Sequence, residues 1–301
     1  MTSSADAIAT APYGIVERLS PLVRRVLARN PSAFTYTGTG TYLIGNGAIA
    51  VIDPGPDDPA HIAALIDAVA NETVNHIVIT HTHKDHSPAA PALAAATGAA
   101  IVGCAPIHLA DDTGPKVEAG FDQTYAPDRI LKGGDQLTGP DWTLEAVFTP
   151  GHTSNHICYA LVEEQALFSG DHVMGWSTTV VAPPDGNMAD YVASLRLLLD
   201  RDETIYYPTH GDPVTDPKRF VRSLIGHRKQ RERQILRQLE SGPKTIPAMV
   251  AVMYAGVAPG LHPAAGRSVL AHLIELESGG QVVRDTGDQW HLAAQPTIPT
   301  H

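Results

Sequence analysis

The hexapeptide His81-Thr82-His83-Lys84-Asp85-His86 places four potential metal ligands within six residues. Imidazole nitrogen and carboxylate oxygen suit Zn²⁺ and other borderline divalent ions. Four such groups cannot all face one way from a helix or strand, but an irregular turn after a strand can splay them toward two adjacent ions. Three more ligand-type residues follow: His152 in TPGHTSNH, Asp171 in FSGDH and His210 in YPTHGD. Each ends a strand-like run in a turn softened by Gly or Pro, where sheet-based folds carry functional groups. Singly, each reads as well as an ordinary strand-end polar residue; together they define a constellation. Two cations ~3.5–4 Å apart can share a water and lower its pKa from ~16 toward ~7, providing hydroxide at neutral pH. One ion would also polarise a carbonyl or phosphoryl oxygen. Asp85 could bind metal while orienting the nucleophile or taking a proton. Metal-bound histidines need their other ring nitrogen fixed, and Asp53, His156 and His172 are candidates for that support; an ordinary polar role fits each equally well.

The elements positioning these residues alternate between strand and helix. Thr41–Ile44 and Ala48–Ile52 read as strands joined by a Gly45-Asn46-Gly47 hairpin turn. Asp58 and Pro59 open a helix with Ile62, Leu65, Ile66 and Val69 on one face. The run His76–Thr80 is a strand leading into the ligand hexapeptide, and Ser87-Pro88 opens the next helix, closed by Gly98. Further strands fall near Ala100–Val102, Trp142–Phe148, Ile157–Leu161, Ala166–Phe168 and Thr204–Tyr207, with a helix over Met188–Leu199. Between Ala105 and Asp135 the periodicity is weak; loop and cover over the site are both consistent with it. From Asp216 the texture changes to a long helix, Lys218–Leu239, then helix (Ile246–Tyr254), helix (Pro263–Ser278) and hairpin (Gln281–Leu292), the order of a winged helix. Two units are expected: a catalytic domain over 1–215, and a linker helix with a winged-helix-like domain over 216–301.

With 301 residues, 43% of them apolar and 18% charged, the chain can bury a sizeable core. A net charge of −11 argues against general affinity for nucleic acid or acidic membranes. Two cysteines, Cys104 and Cys158, make no disulfide framework. No signal-peptide pattern opens the chain and no run is apolar enough to span a bilayer, so no membrane association and a cytoplasmic location are the default expectations.

The ordered set HxHxDH, His, Asp, His resembles the metallo-β-lactamase superfamily. That resemblance implies an α+β fold, an αββα sandwich with metals at one edge of two facing sheets. It implies that His81, His83 and His152 hold one metal, that Asp85, His86 and His210 hold a second, and that Asp171 bridges them. The IDPG segment resembles the superfamily's early strand-turn motif, in which Asp53 would support the metal loop without binding an ion. TGTGTYLIG, PGHTSNH, FSGDHVMGWST, VAPPDG and HRKQRERQIL resemble the beta-lactamase-like protein 2 branch, which joins the hydrolase domain to a C-terminal winged helix. Some members of that branch are single-strand endoribonucleases.

The expected activity is therefore hydrolysis by a metal-bridged hydroxide, with two divalent ions, zinc first and iron or manganese also accepted by these ligands. Single-stranded RNA is one substrate class, supported by the branch resemblance and by a basic helix. Eight of the 21 Lys and Arg residues lie on it, with Arg228, Lys229, Arg233 and Arg237 as candidate phosphate contacts and the last three spaced every fourth residue; a solvated face explains the same run. The alternative is a small-molecule ester or thioester, in the manner of glyoxalase II acting on acyl-glutathione or acyl-CoA. A lactonase or β-lactamase activity, and a non-enzymatic winged-helix regulator, rank behind these. The second tail helix has Arg267 as its one Lys or Arg residue, which disfavours sequence-specific DNA reading and suits packing, homodimerisation or a wall of the substrate cleft.

Overall fold

The computed structural model describes residues 4–107 and 120–294. The cover expected between Ala105 and Asp135 falls in part on residues 108–119, outside the described residues. Seven strands form the first sheet in sequence order: β1 (Val16–Arg18), β2 (Val23–Leu27), β3 (Gly40–Ile44), β4 (Ala48–Ile52), β5 (Thr73–Ile79), β6 (Ala100–Gly103) and β7 (Arg129–Ile130). β1 to β4 pair antiparallel and β4 to β7 parallel. Parallel neighbours need crossovers, supplied by α2 (Pro59–Ala68) and α3 (Ala90–Thr97), while α1 (Ser4–Thr10) precedes the sheet. The second sheet comprises β8 (Gln136–Thr138), β9 (Thr143–Phe148), β10 (Ile157–Leu161), β11 (Ala166–Gly170) and β12 (Ile205–Pro208), in the order β12-β11-β10-β9-β8. α4 (Met188–Leu199) crosses between the parallel pair β11 and β12.

Strand periodicity decides which core each residue enters. Ile157, Tyr159 and Leu161 of β10 join Tyr42, Ile52, Val78 and Phe168 in the core between the sheets, where the Tyr42 and Phe168 rings lie 5.1 Å apart. Ile77 and Ile79 point the other way, toward the side that α3 covers with Leu93. Cys158 and Ala160, on the opposite face, pack with Tyr191, Leu195 and Leu198 of α4 and with Val221 and Leu224 of α5 (Pro217–Leu239). Helices thus cover both outer faces, giving the expected α+β sandwich. A third core joins Ile235 and Leu239 of α5 to α6 (Ile246–Met253), α7 (His262–Ser278) and the hairpin of β13 (Val282–Arg284) and β14 (Trp290–Leu292). The boundary expected at residue 215 falls just before a helix that two of these cores share. No described helix is long and apolar enough to cross a membrane.

Two local readings change. Strands β1 and β2 carry no apolar alternation to announce them: Val23, Val26 and Leu27 are buried, while Arg24 and Arg25 pair with Glu72 and Glu17 at 2.8 and 2.9 Å. Ser87 does not cap α3, which begins at Ala90 without a side-chain cap; its hydroxyl instead donates to Asp122 Oδ2 at 2.7 Å, a tertiary partner invisible to local spacing.

Candidate metal centre

The hexapeptide turn begins where β5 ends, and its path is fixed by backbone bonds from outside. Gly55 N donates to His86 O at 2.9 Å, Asp122 N to Thr82 O at 2.7 Å and Lys84 N to Gly120 O at 2.9 Å. Asp53, at the end of β4, holds the centre from beneath. It is fully buried, and its carboxylate accepts from Thr80 N at 2.9 Å, Thr80 Oγ1 at 2.7 Å and His86 Nδ1 at 2.8 Å. His152 follows β9 at Gly151, whose φ is 134°. A Cβ at Gly151 would collide with the Tyr191 backbone of α4, so glycine lets this turn sit against the helix. Asp171 follows β11, and His210 follows β12.

Three groups of ligand atoms converge: His81, His83 and His152; His81, His86 and Asp171; and Asp85, His86 and His210, each within 4.8 Å of one another. All seven ligand candidates are therefore brought together. Asp171 spans the two halves, with Oδ2 3.9 Å from His152 Nε2 and Oδ1 3.4 Å from His210 Nε2. The hydrogen bonds assign tautomers in which the outward nitrogen is protonated and the inward one is free. His152 Nδ1 donates to Val180 O at 2.7 Å, His210 Nδ1 to Gly38 O at 3.1 Å and His86 Nδ1 to Asp53. Because Thr80 Oγ1 donates to Asp53, it accepts from His81 Nδ1 at 3.1 Å.

This donor set fits cations. His81 Nε2 and His152 Nε2 lie 2.9 and 3.2 Å from His83 Nδ1, three ring nitrogens aimed at one another. His86 Nε2, His210 Nε2 and Asp171 Oδ1 are buried without a hydrogen-bond partner, although His210 Nε2 lies 3.1 Å from Asp85 Oδ2, a distance without hydrogen-bond geometry. Electrostatics divide the site in the same way. Burial, reinforced by neighbouring His152, pushes His83 down to about 3, keeping it neutral as ligation requires. At His210 burial is outweighed by Asp171 and Asp85, which hold it up at about 10. At Asp85 burial is outweighed by His86 and His210, which bring the carboxyl down to about 2. The second half thus gathers positive charge beside two carboxylates, the role a divalent ion takes when it displaces those protons.

The three supporting candidates divide. Asp53 bonds a ligand directly. His156 accepts from Asp171 N at 3.2 Å and faces Thr149 Oγ1 at 2.9 Å, so it fixes the Asp171 backbone. His172 has both ring nitrogens unpartnered, and its ring packs 4.7 Å from that of Tyr191; it hydrogen-bonds to none of the ligands. Sequence reasoning missed Thr80, Thr179 and the carbonyls of Gly38 and Val180. A backbone acceptor has no side-chain signature.

The ligands open onto a cavity of about 710 Å³, lined by the Asn30–Thr35 loop, Met174–Val180, α5 and the C-terminal module. Trp176, stacked on Tyr36 at 5.1 Å, and Phe34 contribute its aromatic wall. Of the four basic residues expected to meet substrate, Arg228 alone lines this cavity. Lys229, Arg233 and Arg237 are exposed on the opposite side of α5, because helical spacing that aligns these three turns them away from Val221, Leu224 and Arg228, which face inward.

An αββα sandwich with a His/Asp cluster at the sheet edge defines a metal-site class, and comparison with known proteins agrees. Residues 37–210 match the Metallo-beta-lactamase superfamily and residues 245–290 the Beta-lactamase associated winged helix domain. The chain belongs to the metallo-β-lactamase superfamily, as a hydrolase with an associated winged helix. It is 34% identical to a Beta-lactamase-like protein 2 homolog of Drosophila melanogaster over 94% of this chain and 97% of that protein. It is 32% identical to an Atrochrysone carboxyl ACP thioesterase of Cryptosporiopsis sp., over 76% of this chain and 66% of that protein's length. Among solved structures, a Beta-lactamase domain protein from Burkholderia ambifaria superposes with a TM-score of 0.77 at 20% identity, covering 94% of each chain. A metallo-beta-lactamase family protein from Thermus thermophilus superposes at 0.71 and 21% identity, covering 91% of this chain and all of that one. Both show the same fold.

Proposed function

We propose that this hydrolase is a binuclear zinc enzyme that cleaves thioesters or closely related acyl esters, holding the acyl group in the cavity above its metal centre. The observation that carries this reading is the lining: Phe34, Met174, Trp176, Val180, Tyr254 and Leu261 make a mainly apolar chamber directly over the ligands. Small-molecule sites have this character. A single-stranded RNA track instead needs a row of cations along the phosphates and exposed stacking faces, and Lys229, Arg233 and Arg237 lie outside the cavity. The similarity to an ACP thioesterase supports the same order of substrates.

His81, His83 and His152 would hold one ion, Asp85, His86 and His210 the other, with Asp171 between them. Two such ions, when bound, supply Lewis acidity and a water of lowered pKa. The protein's own groups do the rest. Asp53, Gly38 O and Val180 O keep His86, His210 and His152 in the tautomers that present Nε2. Asp85 lines the cavity and can take the proton released at its carboxylate as the nucleophile forms. The apolar wall excludes bulk water from the scissile bond.

The test is a panel of acyl-CoA and acyl-glutathione thioesters, lactones, β-lactams and unstructured RNA, with His83→Ala as control. Thioester turnover that rises with acyl size and vanishes in the control is expected. Cleavage of RNA with every thioester left intact would overturn the proposal.

A further inference from the structure

The α5 wall of the cavity carries a charge that the metal centre does not use. Arg228 is only 3% exposed. Its Nη2 donates to Thr179 O at 2.5 Å and its guanidinium lies 4.8 Å over the Tyr191 ring, but Nε has no hydrogen-bond partner. One turn on, Arg231 donates from Nη1 to Gln234 Oε1 at 2.8 Å and to Met253 O at 3.4 Å, and sits 4.4 Å over the Tyr254 ring; its Nε is also unpartnered. His227, whose Nδ1 is likewise unpartnered, lines the same cavity beside them. Among the described residues neither arginine forms an ion pair with a carboxylate. The carboxylates lining the cavity are Asp85 and Asp171, both turned to the metal ligands. The neighbouring Glu232 faces His272 at 3.8 Å instead.

A buried guanidinium without a counter-ion is costly, since aromatic faces and carbonyls replace only part of its hydration. An oxyanion entering the cavity would supply the missing partner, and arginine's fork geometry suits it. We infer that Arg228 and Arg231 form an anion subsite, so that the substrate carries a carboxylate or phosphate at a distance from the bond that is cleaved. The inference deepens the acyl-hydrolase reading and rests on it for the identity of the cavity. Two parts of a thioester could bring the anion: a carboxylate on the acyl chain, or the phosphate of a phosphopantetheine arm.

The holoenzyme is assayed with three thioesters of one acyl length: a neutral acyl N-acetylcysteamine, its ω-carboxyl counterpart and the neutral acyl phosphopantetheine. A charge-assisted bond at this site corresponds to about tenfold or more in affinity. One anionic substrate should therefore have a KM at least about tenfold below the neutral compound's, with kcat little changed. Which of the two gains identifies the source. Arg231→Gln should remove that advantage while leaving the neutral thioester within about twofold of wild type. Because Arg228 also holds Thr179, Arg228→Lys is read alongside metal content, and Arg231→Gln carries the test if that variant fails to fold. In parallel, calorimetry with straight-chain dicarboxylates and their monomethyl esters measures anion binding without turnover. If no thioester is hydrolysed but the dicarboxylates bind in an Arg231-dependent way, the hydrolase reading fails and the subsite stands. Equal KM values across the three thioesters, or an advantage untouched by Arg231→Gln, overturns the subsite while the hydrolase reading stands.

Discussion

Replacing Asp53 is expected to damage the metal centre without touching a metal ligand. Its carboxylate satisfies four fully enclosed donors, Thr80 N, Thr80 Oγ1, His86 Nδ1 and Thr209 Oγ1, at 2.9, 2.7, 2.8 and 3.2 Å. Each buried donor left unpaired costs about 1–3 kcal/mol. Asp53→Ala would strand all four for roughly 4–12 kcal/mol, and entering water together with re-aimed threonine hydroxyls should return much of that, leaving about 3–5 kcal/mol. Asp53→Asn is the sharper perturbation, because volume and one acceptor remain. Its oxygen would take the Oδ2 position, where His86 Nδ1, Thr80 Oγ1 and Thr209 Oγ1 converge, which leaves its NH₂ against Thr80 N at the root of the ligand turn. The clash displaces the turn, and the lost carboxylate charge lowers the basicity of His86 Nε2, the atom that lies 3.6 Å from Asp171 and 3.7 Å from Asp85 where a cation would bind. Loss of a supporting partner of this kind typically costs about 10–100-fold in metal affinity. Competition against a chromophoric chelator should show that loss for one ion per chain, and urea unfolding should show the Ala variant's destabilisation. An Asn variant with wild-type affinity for both ions, or an Ala variant within about 1 kcal/mol of wild type, would refute the reasoning.

Gly151→Ala should lose several kcal/mol of stability and most activity, because φ of 134° and contact with the Tyr191 backbone leave no room for a Cβ beside His152; thermal unfolding checks it, and a near-native melting temperature contradicts it. His61 is buried, which lowers its folded-state pKa from 6.5 to about 4. The folded state therefore binds fewer protons than the unfolded one in that window, and stability falls as pH drops from about 6.5 toward 4, by up to about 3 kcal/mol. Urea unfolding of His61→Gln should show a flatter acid limb than wild type, and identical limbs would remove His61 as the cause. Burial raises both thiols, Cys158 to about 12 and Cys104 further still, so native protein should resist alkylation at neutral pH and react only after unfolding; prompt labelling of the native state contradicts this.

The clustering of seven ligand-type side chains was legible because metal chemistry restricts residue types so strongly. Five His and two Asp in strand-end turns leave few other uses, and the strands preceding them are apolar enough to read directly. Long helices with caps were equally plain: Asp58 accepts from Ala60 N at 3.0 Å, as its position before Pro59 suggests. Failures arose where a partner distant in sequence overrides a local signal. Ser87 has the form of a cap but bonds Asp122, and β2 carries its arginines because Glu17 and Glu72 receive them. The basic helix was the most instructive case. Regular spacing singles out Lys229, Arg233 and Arg237, whereas the arginines turned into the cavity are Arg228 and Arg231. Helical spacing alone identifies which residues share a face; only the packing of α5 against two cores decides which face is inside.

The central claim is that seven side chains from four strand-end turns enclose a pair of divalent cations. Anomalous diffraction from crystals of the metal-replete protein, collected on either side of the zinc absorption edge, tests it most directly. Two peaks are expected, one among His81, His83 and His152 and the other among Asp85, His86 and His210, with Asp171 between them. Crystals of fully loaded protein with no peak in this cluster, or with the metal bound elsewhere on the chain, would contradict the account.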